Sequence, residues 1–261
     1  MPIPKSDNGE MPFLDHLEEL RWRIIYSGFA FIIGLTVGLV IAFKFDVIGF
    51  LEAPALPFMG GQKLIVTHPA DIFSIDIQIA MAIGIVIAAP VIIYQLWAFL
   101  SPALHAHEKK IVIPVLVAGF FLFLMGVAMV WFIVLPMTLK WFYGLVGTSV
   151  QTMYSVQEYI GFVTDLALAF GVAFELPMVL VALIAFRIIT AKQLGSMRKW
   201  AVLIIWTGAA VISPGDAVTV TIALALPMYL LYEISVVVGY VIERKRRIKR
   251  QQEDRDLAAA L

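Results

Sequence analysis

Three long stretches of this sequence contain no Asp, Glu, Lys or Arg: Ile24 to Phe43, Ile77 to His107 and Ile111 to Leu139. A helix rises about 1.5 Å per residue, so about 20 apolar residues cross a hydrocarbon core about 30 Å thick. Each stretch reaches that length and exceeds what a buried helix of a soluble protein needs. These stretches therefore predict transmembrane helices.

Three further apolar stretches bring the prediction to six spans. One is interrupted only by two acidic residues, and a Ser-Pro-Gly-Asp turn at 213–216 separates the other two. We expect an all-α integral membrane protein with spans at about residues 22–43, 72–100, 111–139, 159–186, 199–213 and 217–241. In this prediction residues 1–247 form a single membrane domain, and residues 248–261 form a mobile cytoplasmic tail.

The basic residues indicate how these helices are oriented. Lys and Arg in short loops stay on the cytoplasmic side of a membrane. With the N-terminus inside, 16 of the 19 Lys and Arg fall in inner segments, and only Lys44, Lys63 and Lys140 fall outside. Both termini are therefore predicted to be cytoplasmic. The residues before the first span are net acidic and no small-residue cleavage site follows it, so we expect no signal peptide.

Composition and motifs argue against several classes of function. With 61% hydrophobic and 15% charged residues, the chain is too apolar for a soluble enzyme. A formal net charge of +0 gives no field that would attract nucleic acid. The sequence has no cysteine, and His105, His107 and Glu108 lack a second ligand motif. Phosphate-loop and serine-elbow motifs are also missing, so we expect no catalysis, no cofactor and no metal site.

Ionisable side chains at membrane depth are rare, so each one requires a reason. Glu175 is the deepest, about 16 Å along the helix from Phe186, and Pro177 frees a nearby backbone carbonyl. We favour a functional role for Glu175 over a satisfied hydrogen bond between helices of this chain. For Asp165 we favour hydration near the outer interface, and for Glu233 a hydrogen bond within the protein.

The fifth predicted span is short. Trp200 to Ser213 covers 14 residues, or about 21 Å of helix, which does not cross a hydrocarbon core. Either the helix is short, and the bilayer thins beside it or neighbouring helices enclose its ends, or it begins earlier, near Gln193, with Arg198 and Lys199 reaching back to the interface. The sequence leaves both possibilities open.

Gly34 and Gly38 lie four residues apart in the first span. Small residues at this spacing let a second helix approach closely. Packing within this chain and dimerisation explain the pair equally well.

The amino-terminal segment is acidic where basic residues normally collect. Residues 1–20 hold one Lys and five acidic residues, a net charge of −4 on the predicted inner side. Pro12 can begin a helix, and we expect this helix to lie along the inner surface. Its apolar stripe consists of Phe13, Leu14, Leu17 and Leu20.

Carboxylates on this inner side suggest a type of ligand. In the next inner loop Ser101-Pro102 can begin a short helix that presents Glu108, so that two acidic clusters converge. A carboxylate accepts two parallel hydrogen bonds from a guanidinium, so paired acids favour arginine-containing ligands over lysine. The alternative is a solvated helix face. On that face Glu18 and Glu19 pair with Arg21 and Arg23.

Four sequence segments carry a family resemblance. They are Phe13-Leu-Asp-His-Leu-Glu-Glu-Leu-Arg21, Phe99-Leu-Ser-Pro-Ala-Leu followed by His107-Glu-Lys-Lys110, Phe174-Glu-Leu-Pro177, and Pro227-Met-Tyr-Leu-Leu-Tyr-Glu233. Together and in this order they resemble the TatC family, the multispanning subunit of the twin-arginine protein translocase. The resemblance covers the chain from Met11 to Tyr240 and implies six helices in a concave, glove-like bundle.

The resemblance implies a signal-peptide receptor and assembly core. In the TatC family an acidic inner surface receives the paired arginines of signal peptides on folded cargo, and TatA and TatB type single-span subunits are recruited. The positions implied to bind the signal peptide are Glu19, Arg21, Phe99 and Glu108. Those implied to meet a partner are Glu175 and Pro177, and Pro54 and Asp216 match outer-face positions. Relatives often carry a lysine near Gln78, which this chain lacks.

The resemblance further implies a prokaryotic cytoplasmic (inner) membrane, homo-oligomers, and export driven by the proton gradient. Two other functions fit the residues alone. One is a proton-coupled small-solute secondary transporter in which Asp165 and Glu175 relay protons. The other is a structural scaffold, which would tolerate Glu175→Gln. The sequence shows no convincing halves related by internal symmetry, which argues against the transporter.

Overall fold

The structure, a computed structural model, describes residues 13–59, 63–100, 112–145, 153–185, 187–212 and 218–260. Its helices are α1 Phe13–Lys44, α2 Val47–Glu52, α3 Asp71–Leu100, α4 Val112–Met129, α5 Leu135–Leu145, α6 Val156–Ala173, α7 Leu176–Ala185, α8 Ala191–Ser196, α9 Arg198–Ile212 and α10 Thr219–Ala260. The predicted class, an all-α integral membrane protein, is confirmed, and apolar helix lies at each of the six predicted spans. In these ranges β-structure is limited to one bridge between Ile65 and Ser155.

The chain divides into two compact units, Met1–Val47 with Ile72–Phe120, and Ile48–Asp71 with Phe121–Leu261. Five helical stretches in the described residues are long and apolar enough to cross a membrane. They are Leu14–Lys44, Asp71–Phe99, Leu116–Gly144, Val156–Ala185 and Val220–Asp256. The shorter α9 lies at the remaining predicted span.

In the first unit, close contact between α1 and α3 depends on glycine. A Cβ atom built on Gly34 would lie 2.5 Å from the carbonyl oxygen of Gly84, and one on Gly38 would overlap the carbonyl of Ala80. Real Cβ atoms do not approach backbone oxygens so closely. The two glycines therefore serve packing within this chain, which is one of the two explanations that their spacing allowed.

The amino-terminal helix differs from the expected surface segment. Phe13–Lys44 is one continuous helix of 32 residues, so the acidic segment and the first span share a single axis. No proline or glycine lies between Phe13 and Arg23 to interrupt it. Leu14 and Leu17 of the predicted apolar stripe are exposed.

In the second unit, proline shapes the third span. Val130–Val134 form a π-helical turn between α4 and α5, in which the N–H of Leu135 donates to the carbonyl of Val130. Pro136 follows directly and has no N–H to donate to the preceding turn. The wider turn lets the helix continue past this missing donor.

The fourth span is broken at the predicted functional acid. Between α6 and α7, Phe174 and Glu175 form a turn, and α7 begins at Leu176. Pro177 lacks the N–H that would continue the hydrogen-bond ladder of α6. Glu175 therefore lies at an interruption of the span, where backbone groups leave the regular helical pattern.

Two helices, α8 and α9, follow each other at the fifth predicted span. Thr190 and Gln193 form a capping box at the start of α8, which ends at Ser196. Met197 separates α8 from α9, and α9 covers 15 residues, about 22 Å at 1.5 Å per residue.

The last helix is longer than its span. α10 has 42 residues and remains helical to Ala260, through the part of the chain predicted as a mobile tail. Its Glu233 accepts hydrogen bonds from Arg198 on α9, with Nε to Oε1 at 2.8 Å and Nη2 to Oε2 at 3.0 Å. Tyr229 donates to the same carboxylate at 2.9 Å. The expected hydrogen bond of Glu233 within the protein is thus present and joins α9 to α10.

At the predicted outer end of the second unit, backbone hydrogen bonds join the segment at Ile65 to the segment before α6. The N–H of Ile65 donates to Tyr154, and the N–H of Val156 donates to Ile65, both at 2.9 Å. The hydroxyl of Tyr159 donates to the carbonyl of Leu51 at 2.9 Å. Pro54 follows α2 in this segment and is half-buried.

Candidate functional site

The first candidate site is centred on Glu19. Arg23 lies one helical turn beyond Glu19 on α1 and donates from Nε to Oε1 at 3.0 Å, while its Nη2 donates to the same oxygen. The two side chains are only 19% and 21% exposed. One of the pairs expected on a solvated acidic face is therefore formed, and a ligand would meet a carboxylate that already has a cationic partner.

The other oxygen of Glu19 is differently placed. Oε2 is buried and accepts no hydrogen bond from the residues that the structure describes. Nδ1 of His16 lies 3.6 Å from it, which is too long for a hydrogen bond. A buried carboxylate oxygen without a donor is costly, so this atom favours a ligand that supplies one.

The α3 helix supplies the rest of this site. Gln95 accepts a hydrogen bond from Nη1 of Arg23 at 3.3 Å. Phe99 stacks on His16 with ring centroids 4.3 Å apart and an interplanar angle of 12°. The structure therefore brings Glu19 and Phe99 to one surface of α1 and α3, as the predicted site requires, and adds Arg23, Gln95 and His16 to them.

Sequence reasoning missed Gln95 and His16. Gln95 is separated from Arg23 by 72 residues, and periodicity within one helix carries no information on such a pair. His16 was detectable in part, because it lies three residues before Glu19 and shares its helix face.

The structure describes only one of the three remaining predicted positions. Arg21 is exposed on α1, away from the Glu19–Arg23 pair. Glu108 and Asp216 lie outside the described residues. Their predicted roles stay predictions.

The second candidate site surrounds Glu175. Its Oε1 atom is buried and has no hydrogen-bond partner in the described part of the chain. Pro177 is buried, and its carbonyl lies 3.4 Å from the Ser235 hydroxyl of α10, which also donates to Leu231 at 2.8 Å. The alternative expectation for Glu175, a satisfied bond between helices of this chain, is not met at that oxygen. An unpaired polar atom inside a span suits a polar group from another helix.

Asp165 lies on α6, ten residues before Glu175, and its side chain is exposed. Exposure agrees with hydration, which we favoured for this residue. Among the described residues no group of three or more metal-ligating side chains is assembled.

Comparisons with known proteins find relatives over most of the chain. A family model described as Sec-independent protein translocase protein (TatC) matches residues 15–227. The chain is 42% identical over 239 residues to the Sec-independent protein translocase protein TatC of Aquifex aeolicus (strain VF5), covering 91% of this chain and 98% of the relative. It is 33% identical over 226 residues to the protein of that name in Escherichia coli (strain K12), covering 86% of each.

Two solved structures resemble the chain over most of its length. A crystal structure of the twin arginine translocase receptor TatC superimposes with a TM-score of 0.73 at 42% identity, covering 87% of this chain and 98% of the other. A second one, determined in the detergent DDM, gives a TM-score of 0.75 over 86% of this chain.

Proposed function

This chain belongs to the TatC family of Sec-independent protein translocase proteins, and we propose that it is the receptor that binds twin-arginine signal peptides. It recognises the paired arginines of folded cargo proteins at the inner acidic surface. It then recruits TatA and TatB type single-span subunits for export driven by the proton gradient. It does so as a homo-oligomer in the inner membrane of a prokaryote, with both termini cytoplasmic.

The observation that carries this proposal is the unbonded oxygen of Glu19. A peptide guanidinium can supply Oε2 with the donor that it lacks. A guanidinium that binds both oxygens in parallel must also replace Arg23 on Oε1. Arg23 then keeps Gln95 as a hydrogen-bond acceptor, which lowers the cost of its release. Glu108 would hold the second arginine of the pair.

Site-specific crosslinking tests the receptor assignment. We expect a photoreactive residue in place of Leu17, which is exposed near Glu19, to crosslink a twin-arginine signal peptide in reconstituted membranes. A peptide with two lysines should crosslink far less, because an ammonium cannot bind a carboxylate in parallel. The control is the same photoreactive residue in place of Phe45, which is exposed beyond the other end of α1. Equal crosslinking of both peptides at position 17 would contradict the proposal.

Arg23 should act as an internal competitor for Glu19. We expect Arg23→Gln to bind a twin-arginine peptide about twofold to fivefold more tightly, because the peptide no longer displaces a cation from the carboxylate. Titration of a labelled peptide into the full chain in nanodiscs measures this.

Lys44→Gln provides the charge-matched comparison for this change. It removes an exposed cation from the other end of α1 without removing the Glu19 pair. A similar gain in Lys44→Gln would indicate a general charge effect, and weaker binding by Arg23→Gln would mean that Arg23 orients Glu19 for the peptide.

Recruitment of a single-span partner is supported by the buried, unbonded oxygen of Glu175. A polar side chain on a partner helix can satisfy it, and such bonds strengthen helix association in membranes. The short α9 offers apolar surface for such a partner in the same unit, since Trp200, Leu203 and Ile204 are all more than half exposed.

Glu175→Gln should reduce capture of a TatB type subunit about threefold to tenfold, because the amide cannot reproduce both the charge and the hydrogen bonding of the acid. Co-purification of the tagged subunit from detergent-solubilised membranes measures this. Asp165→Asn alters the other acid of the same span and should leave capture within about twofold of the unmodified chain. Undiminished capture by Glu175→Gln would instead favour a scaffold that does not use this acid.

A further inference from the structure

The inner end of α10 is held against α7 and α8 by three polar contacts. Arg246 donates to the carbonyl oxygens of Ala185 at 2.8 Å and Ile184 at 3.4 Å. Glu243 accepts from the N–H of Ala191 at 2.8 Å. The last turn of α7, the first turn of α8 and one turn of α10 therefore meet at a single place in the second unit.

Cations collect where these three elements meet. Arg187 follows α7 two residues after Ala185, Lys192 adjoins Ala191, and both are exposed. On α10, Arg247 and Arg250 lie four and seven residues beyond Glu243, on the same face. We call the set Arg187, Lys192, Arg246, Arg247 and Arg250 the inner corner.

Acidic groups offset little of this charge. Glu243 is the acidic residue of the same turn, and its Oε1 already accepts the Ala191 N–H. Further along α10, acids resume at Glu253, which pairs with Lys249 at 3.7 Å. The inner corner therefore carries a local positive charge in a chain whose formal net charge is +0.

Arg187 adopts a backbone conformation that arginine rarely takes. Its φ is 60°, in the left-handed region. Its N–H donates to Ile184 at 3.0 Å, and the N–H of Ile188 donates to Leu183 at 2.9 Å, a pattern that normally ends a helix on glycine. A requirement for positive charge alone would be met by a cation in an unstrained position. A strained arginine points to a local role for this side chain.

The inner corner lies where the apolar runs of α7 and α10 end, which is where lipid headgroups are expected. The apolar run of α10 ends at Ile242, and the apolar run of α7 ends just before Arg187. Ile188, Tyr240 and Val241 flank the cations and are exposed, so they offer contact for acyl chains and a tyrosine at interfacial depth. Basic pockets between helices on the cytoplasmic side suit acidic phospholipids.

We infer that the inner corner is a binding site for an anionic phospholipid, whose phosphodiester contacts Arg187, Arg247 and their neighbours while its acyl chains lie along α10. The occupant is a glycerophospholipid with net negative charge, such as phosphatidylglycerol. This site involves neither Glu19 nor Glu175, so it is independent of the proposed peptide and partner binding.

Native mass spectrometry of the full chain in a neutral detergent tests this inference. We expect phosphatidylglycerol to bind more tightly than phosphatidylcholine. Arg187→Gly with Arg247→Gln should weaken phosphatidylglycerol binding about 25-fold, because each cation removed costs about fivefold in affinity. Arg255→Gln removes one cation from α10, nine residues beyond Arg246, and should change this affinity less than twofold, compared with about fivefold for each cation of the inner corner.

Melting temperatures distinguish a role of Arg187 in lipid binding from a role in folding. Arg187→Gly alone should melt at a higher temperature than the unmodified chain in detergent without lipid, because glycine adopts the left-handed conformation freely. It should also lose part of the stabilisation that added phosphatidylglycerol provides. Equal affinity for the two lipids, or undiminished phosphatidylglycerol binding by the double variant, would overturn the inference. Displacement of the lipid by millimolar inorganic phosphate would also overturn it, because it would indicate a site for free anions.

Discussion

Glu19→Gln combined with Glu108→Gln should abolish binding of a twin-arginine peptide while the chain still folds. Glutamine keeps the shape of each side chain but removes the charge that a guanidinium recognises. A hydrogen bond to a charged group contributes about 1.5 to 3 kcal/mol, so each substitution should weaken binding about tenfold to a hundredfold. Isothermal titration of the peptide into the chain in nanodiscs measures the loss.

Glu18→Gln is the matched control for this double variant. It removes the same charge from the neighbouring position on α1, where the side chain is exposed. Because an exposed charge is screened by solvent and salt, its removal should change peptide affinity less than about twofold. If the double variant binds with undiminished affinity, or if Glu18→Gln weakens binding as strongly, the receptor assignment to Glu19 and Glu108 is wrong.

Glu19→Gln alone should also reveal how Arg23 and the peptide share this carboxylate. Without the charge on residue 19, Arg23 loses an ionic partner, and its bond to Gln95 becomes its principal polar contact among the described residues. The competitive advantage that Arg23→Gln gives the peptide should then disappear in a Glu19→Gln background. Such non-additivity is expected for two residues that contact each other and compete for the same carboxylate.

The membrane class and the positions of the spans were predictable from the sequence because the bilayer imposes a length and a polarity on each segment. Pro177 likewise marks the interruption beside Glu175, since a missing N–H acts locally. For the fifth span the sequence left two possibilities open, and the structure has a capping box at Thr190 that begins α8 and a separate α9 from Arg198. The side-chain bonds of this box end the preceding loop and place α8, rather than the start of α9, at Gln193.

The composition of the inner site was less predictable, because its contacts join distant parts of the chain. Nothing in the periodicity of α1 indicates that Arg23 meets Gln95 or that His16 stacks on Phe99. The strained conformation of Arg187 was also hidden, since only glycine or asparagine signals a left-handed residue at a helix end. Family resemblance supplied Glu19 and Phe99, but the residues that surround them depend on how α1 packs on α3.

Because α1 packs on α3 at Gly34, we expect Gly34→Ala to lower the free energy of unfolding by about 2 to 3 kcal/mol. The added Cβ would lie 2.5 Å from the carbonyl oxygen of Gly84 and 3.2 Å from its carbonyl carbon, so α1 and α3 must separate. Backbone atoms cannot move aside as a flexible side chain can. In detergent, the melting temperature should fall by roughly 4 to 12 °C for a chain of this size.

Gly28→Ala makes the same chemical change on the same helix, where a Cβ would meet nothing within 4 Å. Alanine favours a helix over glycine by up to about 1 kcal/mol, so this variant should melt at an unchanged or slightly higher temperature. Because the two variants should shift the melting temperature in opposite directions, they distinguish the effect of helix propensity from that of contact between helices. Because Glu19, Arg23, Gln95 and Phe99 lie on the two helices that Gly34 brings together, Gly34→Ala should also weaken peptide binding. A melting temperature equal to that of Gly28→Ala would mean that α1 and α3 are not in backbone contact at Gly34.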